Sequence, residues 1–297
     1  MWFKNLYCFE LSEPFEIDME TLTQQLSQDA FIPCGSSVVK SSGWVCPSGS
    51  ESMVVEVNQC LFLAYKIQEK IVPTSVINDL LAERVDEIQN VESRAVKKSE
   101  RQTLKEDIFA SLLPRAFVKN SIIYAYIDRQ AQRLVINTPS SAKAEAFSVE
   151  LRKSLGSLKI QIPALVELAG QMTSWVINGE VSEEFEIADK CILKDADENA
   201  GVIRCQKQNL MDDDIQALIG SGRDVVELSL IWDVKMSFVL DENFALKGVK
   251  YLADVQDQVK DINADSDEQR FDADMHSMVE THRECLQSFV ELHKQSL

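Results

Sequence analysis

The chain has 297 residues, 45% of them hydrophobic, which is enough to bury an ample core and to divide into more than one domain. Its formal net charge of −18 opposes a nucleic-acid partner unless the cations are segregated onto one surface. Seven cysteines, an odd number with no Cys-x-x-Cys pair, argue against a disulfide framework and a metal centre, and predict core thiols in a reducing cytoplasm.

Trp2 to Leu11, rich in aromatic and apolar residues, predicts a strand. Asp18 can cap a helix to about Gln28 that carries Met19, Leu22 and Leu26 on one face. Pro33 to Ser36 and Cys46 to Gly49 read as turns, with Trp44 between them as a core anchor. Met53 to Val57 and Leu61 to Val72 predict a hairpin about Asn58-Gln59. After Pro73 the period changes to that of a helix from about Thr74, marked by Ile77, Leu80, Leu81, Arg84, Ile88 and Val91. Ser99-Glu100-Arg101-Gln102 fits a capping box, so a second helix is expected to start there and to stop at Pro114. The pair predicts a helical hairpin inserted between strands.

Strands are expected at Ser121 to Asp128, Arg133 to Asn137 and Leu158 to Ile162, with a helix from Ser141 to Leu155 ended by Gly156. Beyond Pro163 the pattern gives a helix to about Ile177, strands near Phe185 to Leu193 and Val202 to Gln206, and a helix opened by Asp212-Asp213-Asp214. Strands at Val225 to Trp232, Lys235 to Leu240 and Leu246 to Leu252 follow, and a long helix from about Gln269 finishes the chain. The expected class is α+β, with curved, mostly antiparallel sheets, flanking helices and the inserted hairpin. Three domains are expected: a central α+β domain at 1–72 and 118–162, the hairpin lobe at 73–117, and an acidic α+β base at 163–297. The start of the chain lacks the pattern of a signal peptide and no segment reaches the apolar length of a membrane span, so a cytoplasmic protein is expected.

Charge is distributed unevenly. Arg94 to Lys119 holds seven basic and three acidic residues, whereas Glu180 to Leu297 holds 12 basic and 27 acidic ones. Arg94, Lys98, Arg101 and Lys105 would share one narrow arc on a continuous helix and could track phosphates, but a cap at Ser99 would divide that stripe. The ordinary reading is a solvated helix face. Lys97, Arg115 and Lys119 complete the candidate polyanion contacts.

His282 and Cys285 are three apart on the last helix and could share a face, yet a fourth metal ligand is missing, so incidental placement is expected. The Asp212 to Asp214 run more simply serves a helix dipole. No phosphate loop, dinucleotide fingerprint, His-Glu-x-x-His or Gly-x-Ser-x-Gly motif occurs, and all three histidines lie after residue 275. Neither a cofactor nor catalysis is expected. Phe117 is ordinarily a core residue; the alternative is an apolar knob for a partner subunit.

Trp2-Phe3-Lys4-Asn5-Leu6, Pro33-Cys34-Gly35-Ser36, Gly43-Trp44-Val45 and Leu112-Leu113-Pro114-Arg115-Ala116-Phe117 together resemble the bacterial recombination-associated RdgC family. The resemblance continues through Leu151 to Leu158, Gly201-Val202-Ile203-Arg204 and Gln269 to Asp274. It implies a ring-shaped homodimer that encircles double-stranded DNA without sequence preference or catalysis, with single-stranded DNA as a further ligand. It also implies nucleoid association and restraint of strand exchange by the recombinase RecA. The dimer gate it implies pairs Phe117 with Lys207-Gln208; Gln206 stands where the family pattern has lysine. Two other readings remain: a protein acting directly on the recombinase, and a metal-dependent phosphodiesterase.

Overall fold

The computed structural model describes residues 2–47, 50–163, 167–195, 201–252, 255 and 267–295. It is an α+β protein whose strands form a mostly antiparallel, unclosed sheet. The strands are β1 (Asn5–Leu11), β2 (Lys40–Val45), β3 (Val55–Val57), β4 (Cys60–Ile71), β5 (Phe117–Asp128) and β6 (Arg133–Ile136). β7 (Ile160–Gln161), β8 (Phe185–Asp195), β9 (Val202–Gln206), β10 (Arg223–Trp232), β11 (Met236–Asp241) and β12 (Ala245–Tyr251) complete the set. The described helices are α1 (Met19–Gln28), α2 (Thr74–Glu92), α3 (Lys98–Leu112), α4 (Ser141–Leu155), α5 (Leu168–Asn178), α6 (Asp213–Gly220) and α7 (Asp267–Gln295). The start expected for α5 near Pro163 falls partly on 164–166, outside the described residues.

The chain divides into two compact units, one of residues 1–25, 46–63 and 123–297 and the other of residues 26–45 and 64–122. In the first, strands hydrogen-bond in the order β6-β1-β12-β11-β10-β8-β9, so β9 ends the ladder. The expected hairpin turn at Asn58-Gln59 is present. Both residues take positive φ, 50° and 60°, as a two-residue turn with the right twist requires, and Val57 pairs with Cys60 across it.

The core of this unit lies between the sheet and α7. Met275, Met278, Val279, Cys285, Leu286 and Phe289 recur at helical spacing and are all buried. Phe289 meets Phe185, Phe238 and Phe244 with ring centroids 4.4, 5.8 and 5.5 Å apart. A bidentate ion pair holds the same helix at its polar side: Arg283 Nε lies 2.7 Å from Asp128 Oδ2 and Nη2 lies 2.9 Å from Oδ1. The guanidinium also donates to the Asn58 carbonyl and to Glu280, while Asp128 accepts the backbone N–H groups of Gln130 and Ala131. Every charge in this cluster therefore has a partner, the condition under which a buried pair is tolerated.

In the second unit, β2 pairs with β4, from Lys40 opposite Glu69 to Val45 opposite Ala64. This strand departs from the sequence reading, which placed Trp44 between turns. Short length and a central glycine hide it: a Cβ on Gly43 would lie 2.6 Å from the Phe31 backbone, so close chain approach requires glycine there. Trp44 is the core anchor expected, buried against Tyr65 with ring centroids 4.8 Å apart. β5 starts at Phe117, four residues before the expected Ser121, because pairing in the ladder extends it through a stretch with no apolar alternation.

Candidate nucleic-acid interface

α2 ends at Glu92, Ser93 turns the chain with φ 48°, and α3 begins after Lys97 in extended conformation. Two helices thus replace the single stripe from Arg94 to Lys105. The capping box does not form: Lys97 holds the cap position, without a side-chain cap bond, and the Ser99 carbonyl accepts from the Thr103 hydroxyl inside the helix. Glu100 stands three residues after that cap, the position of the acidic half of such a box, and Arg94, helped by the nearby Lys97 backbone N–H, lowers the pKa of its carboxyl.

Arg94 lies in the connection between the helices. Its Nη1 and Nη2 contact the two Glu100 oxygens at 2.8 and 2.6 Å, and its Nε contacts Glu92 at 2.5 Å. The Arg94 guanidinium holds the Glu100 carboxyl below the usual carboxylate range. Two carboxylates therefore answer this arginine, which clips the end of α2 to the start of α3.

The remaining cations are differently placed. Lys98, Arg101 and Lys105 fall within an arc of about 60° on α3, whereas Glu100, Glu106 and Asp107 fall on other faces of the same helix. α3 buries none of its residues fully. Lys97, Lys98, Arg101, Arg115 and Lys119 are exposed and Lys105 is half-buried; among the described residues none of the six has an ion-pair partner. Pro114 ends α3 in a single 3₁₀ turn, Leu113–Arg115, which delivers Arg115 and then Phe117 at the first position of β5. Phe117 is 85% exposed, and Val118 and Ile122 on the same strand are also exposed. Phe117 thus departs from the ordinary expectation of a core phenylalanine.

Lys207 and Gln208 follow β9 in the first unit. Both are exposed, Lys207 takes a φ of 55°, and the Gln208 amide donates to the Asp189 carbonyl. Gln208 lines an open cavity of about 740 Å³ with an apolar floor that includes Phe185, Leu210, Met211 and Ile231.

Of the three histidines on α7, His282 is held in a buried network. Tyr251 donates its hydroxyl to the Phe3 carbonyl at 2.9 Å, so it must accept from His282 Nε2–H at 2.6 Å. His282 Nδ1 then accepts from the Tyr126 hydroxyl at 2.9 Å, which leaves one consistent tautomer. Burial lowers the pKa of this ring to about 3, favouring the neutral form. Cys285 is buried beside it, and among the described residues no three His, Cys, Asp or Glu side chains converge as a metal site. The Asp212 to Asp214 run opens α6, where negative charge meets the helix N-terminus as expected.

The family profile described as "Putative exonuclease, RdgC" matches residues 1–295. The chain belongs to the RdgC family. Among RdgC relatives, the recombination-associated protein RdgC of Psychromonas ingrahamii is 39% identical over 280 residues, 92% of each chain. That of Serratia proteamaculans is 37% identical over 278 residues, 92% of this chain and 91% of its own. That of Pseudomonas putida strain GB-1 is 35% identical over 291 residues, 96% of this chain and 95% of its own. Two descriptions thus accompany RdgC, one of recombination and one of nuclease chemistry. No described RdgC helix here is long and apolar enough to cross a membrane.

Proposed function

We propose that this chain binds double-stranded DNA without sequence preference, as a homodimer closed around the duplex, and by occupying DNA restrains RecA-promoted recombination. The observation that carries this reading is the set of unpaired cations on and beside α3, in a chain of net charge −18. Flexible, solvated lysines and arginines contact phosphate oxygens, which position a protein on the duplex but carry no base information. Acidic surface elsewhere in the chain repels DNA, so attraction is confined to that face.

Lys97, Lys98, Arg101, Lys105, Arg115 and Lys119 are the phosphate contacts in this reading; Arg94 acts by bracing the two helices. The 85% exposure of Phe117 supports its assignment as the knob that meets Lys207-Gln208 of a second copy when the ring closes. The names of the relatives support the recombination role for this chain, and the nucleoid is the setting that the reading implies. Three domains remain the proposed organisation: a central domain at 1–72 and 118–162, the hairpin lobe at 73–117 and the base at 163–297.

Binding to random-sequence duplex, measured as a function of salt without any other protein, tests the reading. Affinity should fall linearly on logarithmic axes, by a slope of about −0.9 for each phosphate neutralised. Salt-independent binding, or binding only through the recombinase, would overturn it. The same duplex incubated with magnesium or manganese should stay intact; shortening from the ends would instead favour the nuclease description.

A further inference from the structure

We propose that Cys191 and Cys205 form a modification site, a dithiol that a small-molecule disulfide converts into a reversible cross-strand disulfide between β8 and β9. The register places the two cysteines directly opposite each other. Opposed residues of an antiparallel pair point to the same face, with Cα atoms about 4.5 to 5.5 Å apart, inside the span a disulfide requires. The Cys205 thiol lies near enough to act on the ionisation of Cys191. Cys8 faces Val135 and Cys60 faces Val57, so among the described strand pairings no other two cysteines are opposed.

Access to the pair is graded. Cys191 is buried in the core, whereas Cys205 is half-buried on the strand that ends the ladder. Reagent therefore meets Cys205 first. Its thiolate attacks one sulfur of the small disulfide, breaks that S–S bond and releases one small thiol, leaving a mixed disulfide on Cys205. Cys191 then loses its proton and attacks Cys205 Sγ, releasing the second small thiol. The two protein thiols lose two electrons and two protons in total, and the reagent is reduced to two thiols.

Burial pushes the Cys191 thiol up to about 12, which makes the second step the slow one. Pre-alignment in the ladder favours that step, because the attacking sulfur already lies beside its target. The bond would tie β9, which among the described residues has a ladder partner on one side only, to β8 two residues before Lys207. The site itself is independent of the DNA-binding reading.

The test treats the folded, full-length protein with oxidised glutathione, quenches with acid, alkylates in denaturant and counts modified sulfurs by intact mass. From the seven cysteines of the chain, two should escape alkylation, and peptide mapping should find Cys191 joined to Cys205. Dithiothreitol should restore all seven. Cys205→Ser should leave Cys191 alkylatable, Cys191→Ala should trap glutathione on Cys205 with no bond between cysteines, and Cys46→Ser should still lose the pair. Full alkylation of the treated parent, a stable glutathione adduct on Cys205 alone, or a bond to another cysteine or a second chain would overturn the proposal.

Discussion

Around Arg283 and His282, each polar group is answered by another within the same compact unit: guanidinium by carboxylates and a carbonyl, imidazole by two tyrosine hydroxyls. Along α3 and the turn that follows it, six cations have no such partner and a phenylalanine stands in solvent. Both regions are rich in residue types associated with function. Burial distinguishes them, because a charge taken out of water must be paired where it is, whereas a solvated one stays available to a ligand.

Arg283→Met offers the severest challenge to that contrast. It leaves the Asp128 carboxylate, 3% exposed, without its cation, and should cost about 3 to 5 kcal/mol in chemical denaturation. Adding Asp128→Asn should recover part of the loss. A single variant as stable as the parent would show that the pair does not hold α7.

The pH dependence of His282 comes next. Its unfolded value is about 6.5 and its folded value about 3, so on acidification the unfolded chain takes up a proton that the folded chain refuses. Its contribution to stability is complete above the unfolded value and is lost as pH falls toward the folded one. Between pH 7 and pH 5 the loss should be about 2 kcal/mol, and His282→Asn should remove that increment from the pH profile. Parallel profiles for parent and variant would place the ring in water.

Substitutions on α3 should behave in the opposite way. Replacing Lys97, Lys98 and Arg101 together by Ala should change folding stability by about 0.5 kcal/mol or less per site, yet flatten the salt dependence of duplex binding by about 2.7 in slope. The smallest stability effect is expected for Phe117→Ala, within about 0.5 kcal/mol, since its ring is 85% exposed. Retention on covalently closed circular DNA after a high-salt wash should nevertheless drop, with linear DNA as the control. Unchanged retention would separate Phe117 from ring closure.

Much of this contrast was legible in local sequence. Pro73 and Pro114 bracket the helical hairpin, Asn58-Gln59 turns β3 into β4, and the apolar spacing of α7 marks its buried stripe. Such signals act over a few residues, through φ restriction and side-chain period, so no distant partner is needed to read them. β2 escaped because six residues with a central glycine carry too little alternation, and only close packing against Phe31 explains them. The cap at Ser99 matched a motif, but the cap lies two residues earlier at Lys97, and Glu100 pairs with Arg94.

The sequence by itself determined the α+β class, the hairpin, the uneven charge and, through motifs along its whole length, the family. Tertiary structure alone decided that Arg94 is paired while Lys98 is not, that Phe117 faces solvent, that His282 is locked between tyrosines, and that Cys191 faces Cys205. The Arg94 pairing depends on the turn between α2 and α3, and the others depend on burial or on contacts between residues farther apart along the chain. Composition can state how many charges and thiols a chain carries; register and packing determine which of them meet.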